Sequence, residues 1–317
     1  MRPPTPSAPV VPEPEPVGPS ELLPPAGRPR AVDHPHASPR QLFWRRLRRH
    51  RLALASIVVL VLLAAACFGA GVVAPYGRDQ QDLALGAVGP SWQHWFGTDE
   101  LGRDQLSRLL YAGQISLEIG LAVALLSTFA GTVIGAVAGF VGRATDQALM
   151  RLTDLFLIVP GVAVLAIALE RFGHGRFTII WVLAALFWMY VARVVRGQVL
   201  SIKEQEFVEA ARASGASGAW IIVRHVLPNC VGPIVVNATL SVAAAIVAES
   251  TLSFLGFGIQ LPATSWGRML ADAEGTVGTS QSYLLYFPGL AILLTVLAVN
   301  FLGDGLRDAF DPQRGDA

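Results

Sequence analysis

A single lysine, Lys203, serves the whole 317-residue chain, and Ile202 rather than glycine precedes it. The phosphate-cradling loop of nucleotide hydrolases needs a Gly-Lys step, so the sequence holds no ATP engine of that kind. Charge is scarce throughout: 15% of residues are Asp, Glu, Lys or Arg, against about 25% in soluble domains. The deficit is concentrated in long apolar runs, and the mean hydropathy is +0.50, which points to a membrane protein. A net charge of +1 supplies no basic field for nucleic acid. The two cysteines, Cys67 and Cys230, lie far apart in or beside apolar runs and imply no disulfide framework. GxSxG, HExxH and cysteine–histidine clusters are absent, and the six histidines are scattered apart from His34 and His36. No catalytic residue, no metal site and no cofactor within this chain are therefore expected.

What is present begins with proline. Thirteen of the 21 prolines fall in the first forty residues, and residues 1–42 are expected to be a disordered tail, too poor in apolar surface to offset chain entropy. A basic patch, "FWRRLRRHR", follows at residues 43–51 and leads into the first apolar run. The long region ahead of that run favours an uncleaved anchor over a signal peptide.

Six runs have the roughly 20-residue apolar length that a membrane helix needs: 52–74, 115–141, 152–169, 177–195, 231–258 and 283–303. The third is short and contains Pro160-Gly161, so a kink is expected there. The fold expected is an all-α polytopic membrane protein. Its parts would be a tail, a basic flank with the first span (43–74), an extracytoplasmic segment (75–114), a five-helix core (115–305) and a short C-terminus (306–317). With the N-terminus inside, eighteen Lys and Arg fall on the cytoplasmic side and six on the other, so both termini are expected to be cytoplasmic. Gly131, Gly135 and Gly139 share one face of the second span and suit close helix packing. Intramembrane carboxylates are few; Glu118 and Asp154 lie near span ends, and Glu249 in the fifth span is expected to be paired or to face water rather than lipid.

Residues 202–229 join two spans with far more than a minimal link. Glu204, Glu206 and Glu209 suit the start of a short helix, and Phe207, Val208 and Ala211 give it an apolar edge. Gly215 stands where a left-handed C-terminal residue is common. Ser217 can cap a second short helix, with Pro228 expected to stop it. Trp220, Ile221 and Val223 are costly to leave in water, so the loop meets either a partner protein or lipid headgroups.

The stretch Glu209-Ala210-Ala211, then Gly215, then Leu227-Pro228, resembles the EAA signature of ABC-importer permeases. "FGTDELGRDQLSRLLYAGQISL" (96–117), "AESTLSFLGFG" (248–258), "SWGRMLADA" (265–273) and "FPGLAILLTVLAVNFLGDGLRDAFDP" (287–312) are similar to the C-type permease subunit of dipeptide and oligopeptide (nickel) importers. The resemblance covers about residues 43–312 and leaves out the proline-rich tail. It implies a type I importer permease with six membrane helices, in which Glu209, Ala210, Ala211, Gly215, Trp220, Arg224, His225, Leu227 and Pro228 form the coupling element. It also implies a second permease chain, two ATPases that use ATP and Mg, an extracytoplasmic peptide-binding protein and a bacterial cell membrane. Glutathione, a nickel chelate or another small solute is an alternative cargo, and an ion-coupled carrier is the rival class. His225 stands where the general signature often has isoleucine. Asp99 and Arg103 in the outer segment, with Glu249, are candidates for a gate or pathway, and Ala216 is expected on the docking face.

Overall fold

The computed structural model describes residues 39–310, with side chains from residue 41 onward. Most of the proline-rich tail, His34 and His36, and residues 311–317 lie outside that range. Twelve α-helices run through the described residues, with no β-strand among them.

Basic α1 (Pro39–Arg49) overlaps the last four residues of the expected tail. α2 (Arg51–Phe68) follows, with His50 Nδ1 accepting from the Ala53 amide at 3.1 Å, and a single turn, α3 (Ala70–Val73), ends the first span. α4 (Gln105–Val141) has 37 residues, about 55 Å of helix, well beyond the ~30 Å hydrocarbon core. It starts ten residues before the apolar run does, because Asp104 caps it: its Oδ2 accepts from the Ser107 amide at 2.8 Å. The polar residues Gln105, Ser107 and Arg108 in its first turn and a half hid that start from hydropathy.

α5 (Arg143–Ile158) and α6 (Gly161–Phe172) are the expected third span broken in two, bent by 81°. Val159 is extended, as a residue before proline must tend to be, and Pro160 offers no amide to continue the ladder. α7 (Arg176–Ile202) packs along α4, and the three glycines are why it can. A Cβ on Gly131 would stand 2.6 Å from the Trp188 carbonyl oxygen, one on Gly139 2.9 Å from Val199 Cβ, and one on Gly135 would run into the Ala192 carbonyl. Buried Ile119, Val123, Leu165, Ile179 and Leu183 continue that core between α4, α6 and α7.

α8 (Glu206–Ala213) and α9 (Gly218–Ile221) follow. α9 runs on through a π turn (Ile222–Val226) into α10 (Leu227–Phe254) as one apolar helix from Gly218 to Phe254. The expectation that Pro228 ends the second loop helix is therefore wrong. The Leu227 amide reaches back five residues to the Ile222 carbonyl, and this wider turn lets the helix carry a residue with no amide hydrogen. The seven-residue α11 (Trp266–Asp272) is wedged against α4, α10 and α12 (Tyr283–Phe310). Five helices are long and apolar enough to cross a membrane, and the bent α5–α6 pair can make a sixth.

Candidate functional site

The loop at residues 203–226 closes one end of the bundle. α8 ends in a left-handed turn: Gly215 has φ +80°, its amide donates to Arg212 O at 3.0 Å, and the Ala216 amide donates to Ala211 O at 3.1 Å. That pair of bonds is a Schellman motif, and it brings Ala211 and Ala216 together over the same apolar cluster. Ala216 is thus partly packed inward rather than presented on the outer face. Ser217 Oγ then accepts from the Trp220 amide at 3.4 Å and starts α9.

Ile221, expected to meet a partner or lipid headgroups, and Val208 on the apolar edge of α8 are instead the loop's anchors. Val208 and Ile221 are 0% and 1% exposed and pack with Val195, Val199 and Val226 at the ends of α7 and the π turn. Arg212 adds a cation–π contact, 5.1 Å from the centre of the Phe140 ring at the end of α4. Trp220 and Val223 do stand out, 51% and 67% exposed. Glu206, Glu209, Ala210, Arg224 and Pro228 are exposed as well. His225, the departure from the usual signature, is half-buried between two aromatic rings, 5.0 Å from Trp220 and 6.2 Å from Phe207. Asn229 Nδ2 donates to the His225 carbonyl at 2.6 Å, and partly buried Leu227 packs onto the Val208–Ile221 cluster. The outcome is a short acidic helix, a left-handed turn and an exposed indole held on a rigid base.

At the opposite end a collar is built from charge. Asp99 Oδ1 accepts from the amides of Leu101 and Arg103, both at 3.0 Å. Its Oδ2 accepts from Arg103 Nε at 2.7 Å and from Arg108 Nη1 at 2.6 Å. Arg108 continues to Asp272 on α11 at 3.3 Å, and Arg268 reaches the other oxygen of Asp272 at 2.9 Å. Arg108 and Asp99 are both buried, while Asp272 and Arg268 at the other end of the lattice are partly exposed. Beside it lies a cavity of about 320 Å³ lined by Glu100, Arg103, Gln105 and Asp272 among others. His94 Nδ1 meets Asp104 at 3.0 Å, and the Tyr283 hydroxyl donates to the Thr98 carbonyl at 2.6 Å, tying the collar to the start of α12.

Residues 131–315 match the model of the family described as the binding-protein-dependent transport system inner membrane component. The chain belongs to that family of membrane transport permeases. Residues 38–88 of the permease also match the model for the N-terminal TM domain of oligopeptide transport permease C. It is 42% identical over 283 residues to the dipeptide transport system permease protein DppC of Bacillus subtilis, covering 89% of this chain and 88% of the relative. It is 40% identical over 278 residues to the oligopeptide transport system permease protein OppC of Mycobacterium tuberculosis, covering 87% of this chain and 95% of the relative. A solved MetNI methionine ABC transporter aligns with 62% of this chain and 94% of that chain, at 20% identity and a TM-score of 0.47.

In the permease, Asp99 and Arg103 do meet, but their partners Arg108, Asp272 and Arg268 were not singled out from the sequence. Arg108 lies within hydrogen-bonding reach of a turn rich in acid, which was a usable signal; Asp272 lies 164 residues further on and left none. Glu249 faces neither lipid nor water: it is 0% exposed, and its Oε1 accepts from Ser253 and Ser265, each at 2.7 Å. Ser265 also caps α11, accepting from the Arg268 amide at 3.2 Å. Glu249 therefore braces α10 against the collar, and a place on an open pathway does not fit its burial. No group of three or more His, Cys, Asp or Glu suited to a metal occurs among the described residues.

Proposed function

We propose that this permease forms half of the pathway of an ATP-driven, binding-protein-dependent importer of di- and oligopeptides, and that residues 202–229 dock onto a separate ATPase subunit. The observation that carries the coupling role is the division of labour in the loop: Val208 and Ile221 are wholly buried while Glu206, Glu209, Ala210 and Trp220 stand exposed. A helix that merely rested on the bilayer would turn basic residues to anionic headgroups. α8 turns Glu206 and Glu209 outward instead, and its one arginine, Arg212, lies on Phe140. Peptide as cargo follows from the names of the relatives, which carry dipeptides and oligopeptides.

The permease itself performs no chemistry. ATP and Mg act on two partner ATPases; a second permease chain completes the pathway, and an extracytoplasmic binding protein delivers and selects the peptide. Closure of the ATPases on ATP moves the docked loops, and the helix that runs from Gly218 through α10 to Phe254 carries that motion across the membrane. The distribution of Lys and Arg, eighteen against six, supports placing both termini and the loop on the cytoplasmic face of a bacterial cell membrane.

Cross-linking in the assembled transporter tests this. A cysteine at exposed Ser214, beside the left-handed turn, is expected to form an adduct with the ATPase, and one at Thr178, at the far end of α7, is not. Uptake in proteoliposomes is expected to need ATP and no ion gradient. Uptake that follows a proton or sodium gradient without an ATPase would make the chain an ion-coupled carrier.

A further inference from the structure

We propose that α1, with the first residue of α2, is a docking surface for anionic phospholipid headgroups. Five arginines, Arg45, Arg46, Arg48, Arg49 and Arg51, occur within seven residues, and no Asp or Glu occurs anywhere from residue 34 to residue 78. Arg45 and Arg49 are one helical turn apart, as are Arg46 and Arg49, so like charges crowd one short helix. Arg48, Arg49 and Arg51 are exposed and make no ion pair among the described residues. On the neighbouring α12, Asp308 lies 3.9 Å from His50 and Asp304 is exposed, and neither makes an ion pair with Arg48, Arg49 or Arg51.

The helix cannot rotate to hide this arc. Leu47 is buried with Ala53 and Ala309, and the Phe43 ring lies 4.7 Å from that of Phe310. The backbone that carries exposed Arg48, Arg49 and Arg51 is thereby fixed before binding, so no cost of ordering the helix falls on the bound state. Their position selects the occupant. The exposed apolar surface of α2 begins immediately after Arg51, with Leu52, Val58, Val61 and Leu62 each more than half exposed, and Trp44 stands exposed on α1. Arginine beside an apolar helix face, with an exposed aromatic on the same basic helix, matches a molecule that carries a phosphodiester and acyl chains together. A nucleic acid or an acidic protein supplies the charge without the acyl chains.

The test uses the full-length chain in mild detergent, titrated with phosphatidylglycerol and, separately, with phosphatidylcholine, counting bound lipids by native mass spectrometry. A preference for phosphatidylglycerol that weakens with salt is expected. Each arginine is worth about fivefold in affinity near an anionic surface, so R48Q/R49Q/R51Q is expected to weaken phosphatidylglycerol on the order of a hundredfold. Phosphatidylcholine binding should change little, and R48K/R49K/R51K, which keeps the charge, should keep the preference. Helix content by circular dichroism separates a lost site from a misfolded chain, and the lysine variant must then fold as the parent does. An undiminished preference in a folded glutamine variant overturns the proposal. So does displacement of the lipid by equimolar inorganic phosphate, which would make the site one for a free anion, or preferential capture of an acidic polypeptide over phosphatidylglycerol.

Discussion

The two ends of the bundle are held by opposite means. The collar joins Arg103, Asp99, Arg108, Asp272 and Arg268 in a largely buried chain of charges that spans more than half the sequence. The loop is built from neighbours, with a Schellman turn, a serine cap and two buried aliphatic anchors, and it leaves its charges in the open. A buried charge lattice is costly to break, because removing one member leaves another desolvated and unpaired. Local caps and aliphatic anchors yield in smaller steps. The permease thus has one end suited to staying still and one suited to being pushed.

Arg108→Gln is the hardest test of that contrast. It strips Asp99 of its most buried partner and is expected to cost about 3–5 kcal/mol, seen as a large fall in the thermal unfolding temperature and in the yield of folded chain. The reference is Glu118→Gln, which breaks the exposed pair with Arg176 and is expected to cost no more than about 1 kcal/mol. Equal effects of the two would mean that the collar is no more rigid than any surface pair.

Ile221→Ala comes next. Emptying a fully buried aliphatic site costs about 2–5 kcal/mol, but the loss falls on the loop. Hydrogen exchange is expected to accelerate over residues 205–225 while the collar stays protected. Acceleration at both ends would show that the loop and the collar unfold as one unit.

Smaller energetic changes in the loop are expected to have a purely functional effect. Gly215→Asp meets no atom within 4 Å, so its cost is the left-handed backbone alone, about 1–2 kcal/mol. The carboxylate also opposes the dipole at the end of α8. The variant is expected to insert and accumulate normally yet lose ATP-driven uptake. Gly215→Asn should retain more uptake, because asparagine tolerates that conformation and brings no charge to oppose the dipole. Glu209→Lys, at an exposed site, should alter stability by less than about 0.5 kcal/mol and still impair uptake. Normal uptake in Gly215→Asp would leave the left-handed turn without a role in coupling.

Much of this was legible in the order of residues because the determining physics is local. Apolar length gave five spans, and Pro160 marked the break in the sixth; the spacing of Gly131, Gly135 and Gly139 marked the face on which α4 meets α7. Gly215 and Ser217 announced a left-handed stop and a cap, each of which acts within a few residues of itself. Local reasoning erred where packing overrides it. Pro228 sits inside a helix because a π turn makes room, and the helix start at Gln105 lay hidden behind polar residues that only a folded collar can bury.

Which side chains turn inward was beyond the pattern. Val208 and Ile221 read as surface apolar residues, and only the ends of α4 and α7 around them make them core. Glu249 read as a group that needed either a partner or water, and Ser253 and Ser265 are the partners that the fold supplies. Composition and period determined a bundle of membrane helices with a capped loop, because helix length, caps and turns are properties of adjacent residues. The partners of Arg108 and of Glu249 were decided by the tertiary structure alone, because a buried charge takes whichever counter-group the folded chain brings within 3 Å or so, at any distance along the sequence.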